Sequence, residues 1–165
     1  MNKKIFFLLI PILLILIGYY CINKLVEGDF EFEKGLHYVN IENNKIYYLG
    51  YNLKWNGVIN PTIEDIEIYK DKDNKQCSNG VDIFIDTKKA LVSLAEDAYI
   101  VSEGNLVNLV APQNYPLEDK KCKVVIKIDT KYKEELKEIT RIHVTYNVLW
   151  EKRTQSFDIA FFKDE

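Results

Sequence analysis

Two patterns of hydrophobic and polar positions divide the chain. The first is an unbroken apolar run, Ile5–Ile22, interrupted only by the uncharged Pro11 and Gly18. The second begins past Gly28, where apolar and polar residues alternate in short stretches. The run predicts a helix, because Ile5–Ile22 in helical form is roughly 27 Å long and the hydrocarbon core of a bilayer is about 30 Å thick. Alternation with a period of two predicts half-buried strands.

The clearest strand is Ile46–Trp55, which places Tyr47, Leu49, Tyr51, Leu53 and Trp55 on one face and Gly50, Asn52 and Lys54 on the other. Phe30 and Phe32 mark a shorter strand, and residues 37–41 another. A strand from Thr62 to Tyr69 follows Pro61, which limits pairing on its own side. Val81, Ile83 and Ile85 point one way, as do Val124, Ile126 and Ile128, and then Ile142, Val144, Tyr146, Val148 and Trp150. Phe157, Ile159 and Phe161 supply a last strand after a turn at Glu151–Arg153. Asn43-Asn44, Asn56-Gly57 and Asn79-Gly80 are turn signals. Leu91, Leu94 and Ala95 fall at helical spacing and predict a short helix within residues 88–97, and residues 131–138 predict one helical turn. Tyr99–Val101 and Leu106–Val110 read as short strands, and Ala111–Lys120, with two prolines, as loop.

Seven to nine short strands separated by turns predict a mainly β fold, an antiparallel immunoglobulin-like sandwich preceded by one transmembrane helix. A small β-barrel is the alternative. The Cys…Trp…Cys order of antibody domains is absent, since Trp55 precedes both Cys77 and Cys122. The expected organisation is a basic cytoplasmic start at 1–4, a signal-anchor helix at 5–22, a linker at 23–28 and one extracytoplasmic domain at 29–165.

Lys3 and Lys4 set the orientation, because positive charge stays inside and the C-terminal bulk goes out. The Ile, Leu and Phe side chains of the run favour insertion by roughly 6 kcal/mol, and Tyr19 and Tyr20 suit the interface at its exit. A cleaved signal peptide shares the basic start, but Gly18-Tyr19-Tyr20-Cys21 fits a small-residue cleavage site poorly. Tyr20 likewise fits badly before a lipid-modified Cys21.

Charge narrows the partners. The full chain carries −3, and residues 1–28 hold Lys3, Lys4, Lys24 and Glu27, so residues 29–165 are left at about −5. An acidic domain argues against nucleic acid and against a further electrostatic hold on anionic lipid. Outside the membrane, Cys77 and Cys122 are a disulfide candidate, and closing that loop would restrict the unfolded chain by roughly 4 kcal/mol. The other reading is two unrelated thiols.

Catalytic templates fail one after another. Asp71-Lys72-Asp73-Asn74-Lys75 starts like a calcium loop but lacks the third ligand and the glycine that loop needs. His37 and His143 sit in no zinc-binding pair. No serine lies in a G-x-S-x-G or S-x-x-K setting. Adjacent carboxylates such as Glu64/Asp65, Glu96/Asp97 and Glu118/Asp119 point to opposite strand faces. No metal or cofactor is expected. One face is a candidate for a partner: Asp82, Phe84 and Asp86 share the outward side of a strand, and an aromatic between two acids suits a protein contact. Alternatively, Phe84 is covered by residues 88–110.

The Lys-Lys-apolar start, the segment Tyr48-Leu-Gly-Tyr-Asn-Leu-Lys-Trp-Asn-Gly57 and the β-rich remainder resemble N-terminally anchored β-sandwich proteins of AT-rich bacteria. The resemblance implies an extracytoplasmic location and assigns no activity. The expected function is a membrane-tethered binding or interaction module of the cell envelope, its partner an envelope protein or polymer. The alternatives are an envelope hydrolase with a site assembled from distant residues, and an immunity or inhibitor protein.

Overall fold

The computed structural model describes residues 3–33, 42–70, 75–76, 79–89, 91, 94–97, 101 and 104–162. Helix α1 (Lys3–Val26) extends the predicted helix by a few residues at each end, and Pro11 lies inside it. From Ile12 to Ile22 its large apolar side chains are exposed on every side. Side-chain surroundings are described from Ile10 onward, and among the described residues no helix is long and apolar enough to cross a membrane.

The strands follow in order: β1 (Phe30–Glu33), β2 (Ile46–Trp55), β3 (Thr62–Lys70), β4 (Lys75–Gln76), β5 (Val81–Asp86), β6 (Leu94–Glu96), β7 (Leu109–Val110), β8 (Tyr115–Pro116), β9 (Lys121–Asp129), β10 (Ile139–Val148) and β11 (Glu151–Asp158). A 3₁₀ turn at Thr130–Tyr132 leads into the short helix α2 (Lys133–Lys137), where one helical turn was expected.

All strand pairs are antiparallel and form two sheets. The first runs β1-β2-β9-β5-β7, with β6 also on β2; the second runs β11-β10-β3-β4, with β8 also on β3. The result is a mainly β architecture consistent with a sandwich, with two sheets in place of one closed barrel. The inner faces meet in one core. Tyr47, Leu49, Tyr51, Leu53 and Trp55 of β2 pack there with Val124, Ile126 and Ile128 of β9 and Ile142, Val144, Tyr146 and Val148 of β10. These are the inward sets that alternation predicts, because a side chain buried at one position carries its i+2 neighbour to the same face.

Several expectations need correction, among them the strand over Leu106–Val110, where a 3₁₀ turn (Asn105–Asn108) precedes a strand of only two residues. The helix expected within 88–97 is in part a strand, β6, because β1 pairs only with Asn52–Trp55 and leaves Tyr47–Leu49 of β2 open to Leu94–Glu96. The Asn56-Gly57 turn signal falls on the connection between β2 and β3, which belong to different sheets. The last turn lies at Leu149-Trp150, two residues earlier than expected, so β11 begins at Glu151 and Trp150 leaves the core face for solvent. The strand expected over 37–41, most of Tyr99–Val101 and residues 71–74 of the polar turn lie outside the described residues.

A second, smaller cluster covers the outer face of the first sheet. Leu91, Ala95 and Leu109 lie over Tyr48, Phe84 and Val125. No described segment covers the outer face of the second sheet in the same way. There Tyr69 stacks on His143 at 4.2 Å and Thr145 bonds Thr154 at 3.0 Å.

Candidate functional site

The three residues proposed as a partner surface separate. Asp82 is exposed and pairs with Lys127 at 2.9 Å. Phe84 is half-buried beneath the segment that follows its strand. Asp86 is only 1% exposed. Its carboxylate accepts from the backbone N–H of Lys88 at 3.0 Å and of Leu91 at 2.8 Å. This is a turn that folds the covering segment back over the sheet, a local role short acidic side chains often take.

Cys122 is a free thiol buried in the core, and Cys77 lies outside the described residues. Burial pushes the Cys122 thiol up to about 12, which makes it a poor nucleophile. Beside Asp82 a cavity of about 150 Å³ is lined by Ile46, Gly80, Val81, Lys127 and Asp129. It is smaller than the few hundred Å³ typical of ligand pockets. Among the described residues no three His, Cys, Asp or Glu side chains gather as a metal site.

The most elaborate geometry in the molecule is where α1 meets the domain. Val26, the last residue of α1, is buried in the main core. Two residues on, Gly28 lies against the Trp55 indole, and a Cβ there would stand 2.4 Å from Trp55 Cζ2. Gly57 presses on the same ring, with 2.4 Å from a Cβ to Cζ2. Only glycine lets two backbone segments approach an indole so closely. The Trp55 Nε1–H donates to the Ile59 carbonyl at 2.8 Å, which fixes the ring in its plane. Phe30 meets Trp55 at 5.0 Å and Tyr146 edge-on at 5.0 Å, and Trp55 meets Tyr146 at 5.4 Å.

Polar contacts tie the same linker to the other sheet. Arg153 Nη1 donates to the Gly28 carbonyl at 3.2 Å, and its Nη2 bonds Glu151 at 2.8 Å. The hydrogen bond from Arg153 holds the Glu151 carboxyl below its ordinary range. The Gln155 side chain acts as a missing strand residue. Its Oε1 accepts from the Phe30 N–H at 2.8 Å and its Nε2 donates to the Phe30 carbonyl at 2.7 Å. Gln155 therefore bridges β11 of one sheet to β1 of the other. One step along, Phe32 stacks on Phe157 at 5.2 Å and on Tyr51 at 5.0 Å.

No family model matches the chain, and no curated protein or solved structure matches it either.

The strand directions place several segments at this helix end. They are the loop after Trp55, the Leu149-Trp150 turn, residues 117–120 and the turn after Asp86. Trp150 is 71% exposed there. Alternation had assigned it to the core face, and no Gly or Asn marked the turn that releases it. Gly28, Arg153 and Gln155 also escaped sequence reasoning, because their roles depend on contacts between residues far apart in the chain.

Proposed function

We propose that the protein is a single-pass, membrane-tethered binding module of the cell envelope, with residues 29–165 on the extracytoplasmic side. The observation that carries this reading is the helix exposed on every side, leaving the domain from a packed junction. A helix apolar all round needs a nonpolar surrounding, and the domain does not supply one. The sequence places Ile5-Phe6-Phe7-Leu8-Leu9 in the first turns of α1, ahead of the exposed apolar positions. At 24 residues the helix is about 36 Å long, enough for a ~30 Å core with a remainder at the surface. Lys3 and Lys4 favour an inside start.

The domain reads as immunoglobulin-like. Taking β1, β2, β3, β4, β5, β9, β10 and β11 as strands A, B, C, C′, D, E, F and G, the sheet orders become A-B-E-D and G-F-C-C′. Strands β6 to β8 then belong to an insertion between D and E. That insertion covers the A-B-E-D face, which leaves the G-F-C face, with the Tyr69–His143 stack, as the surface to offer an envelope protein or polymer.

Two measurements test the reading. Protease added outside cells with permeabilised walls should degrade the domain, and full protection would reverse the orientation. Cross-linking in intact membranes followed by purification of the chain should recover a partner that is lost with Tyr69→Ala. Recovery of the chain alone would overturn the binding role.

A further inference from the structure

Five of the seven large apolar side chains exposed among the described residues of the domain gather at one end, Val101 and Val110 being the other two. Leu149 and Trp150 form the β10–β11 turn, and Val58 lies in the loop after Trp55. Leu106 and Val107, the latter 84% exposed, precede β7, whose Leu109 pairs with Asp86 at the lower end of β5. All of these segments are at the end from which α1 departs. The opposite end carries residues 42–45, 79–80, 129–138 and 159–162, and among the described residues it exposes no large apolar side chain.

The turn itself is costly as built. Leu149 has φ 58, in the left-handed region, where Asn or Gly is favoured over leucine. A strained backbone that presents Leu and Trp to solvent calls for a use of those side chains.

Distance names the surface they meet. Between the end of the apolar run at Ile22 and the packed linker lie Asn23, Lys24, Leu25 and Val26, which rise about 6 Å as helix. The headgroup layer on each side of a bilayer is about 5–7 Å thick. The linker is fixed on Trp55 and Arg153, so the helix end of the domain stands at headgroup depth. Trp is the residue best suited to that layer, with an apolar ring and one N–H for the wet side.

We propose that the helix end of the domain is a second membrane contact, in which Trp150 and Leu149, flanked by Val58, Leu106 and Val107, insert into the headgroup layer of the outer leaflet. This rests on the reading of α1 as a membrane anchor. Charges at this end are mixed, with Lys120, Lys152 and Lys89 against Glu118, Asp119 and Glu151. The contact is therefore apolar in origin and independent of anionic lipid.

The chain has two tryptophans, and Trp55 is buried. Emission that responds to the surroundings therefore reports Trp150. The test uses the full chain reconstituted in phosphatidylcholine vesicles whose acyl chains carry bromine near the headgroup. The expected result is loss of Trp150 emission to the brominated lipid, protection from aqueous iodide, and disappearance of the lipid quenching in Trp150→Phe. Added salt should leave the quenching unchanged. Vesicle flotation separates the two readings. A chain that floats while Trp150 stays open to iodide and untouched by bromine keeps its anchor and overturns the contact. A Trp150 shielded from both quenchers faces protein, and that also overturns it. A chain that fails to float removes the anchor and the contact together.

Discussion

At the scale of the residue, Trp55 is the hub. Alternation along Ile46–Trp55 placed its ring inside, and there it is. What the sequence could not convey is that two glycines from separate loops press on the ring. Gly28 has the look of an ordinary linker residue, and Asn56-Gly57 has the look of a hairpin turn. Replacing Gly28 with alanine forces a methyl group to 2.4 Å from the indole, so ring or linker must shift. The expected cost is about 1–3 kcal/mol, as for overpacking elsewhere in protein cores. Chemical denaturation of the full chain in detergent measures it, together with faster proteolysis near residue 28. An unchanged midpoint with an uncut linker would mean that the junction is slack. The same limit on foresight applies to Gln155, which reads as an exposed strand residue until β1 of the other sheet is seen beside it.

At the scale of the element, long alternating runs were legible and short covering pieces were not. Strands β2, β3, β9 and β10 carry enough i+2 repeats to fix their faces. Residues 88–97 carry apolar side chains at positions that suit a helix, yet the free edge of β2 draws Leu94, Ala95 and Glu96 into a strand. Propensity yields there to tertiary pairing, as it commonly does in short segments. Asp86 organises that segment by accepting from two backbone N–H groups. Removing the carboxylate in Asp86→Ala leaves the buried Leu91 N–H without its partner, at an expected cost of about 1–3 kcal/mol. Hydrogen exchange should quicken in residues 87–96 while β3 and β10 keep their protection. Uniform quickening across both sheets would show instead that the cover and the core unfold as one unit.

At the scale of the whole molecule, the N-terminal helix and the mainly β, antiparallel character of the rest were readable, whereas the wiring between sheets was not, because alternation reports a face and never a neighbour. The charge pairs that fasten the surface predict how the molecule responds to acid. Glu151 beside Arg153, Glu64 beside Lys152, Glu31 beside Lys54 and Asp119 beside Lys89 are all held below their ordinary values, chiefly by the hydrogen bond from the basic partner. Their folded forms favour the ionised carboxylate, so their stabilisation is complete above the ordinary value of 4.5 for Glu and is lost as pH falls through the lowered one. Melting temperature should hold between neutrality and about pH 5 and then decline, with less decline in high salt because the pairs are exposed. A melting temperature that rises on acidification would contradict this account. The packed junction at Gly28 also has a geographical consequence. For an anchored chain it removes the slack a flexible stalk would give, and the ten-residue strands set a height of about 34 Å. Such a molecule patrols a plane. It meets what drifts within one domain's height of the lipid, and a target farther out must come down to it.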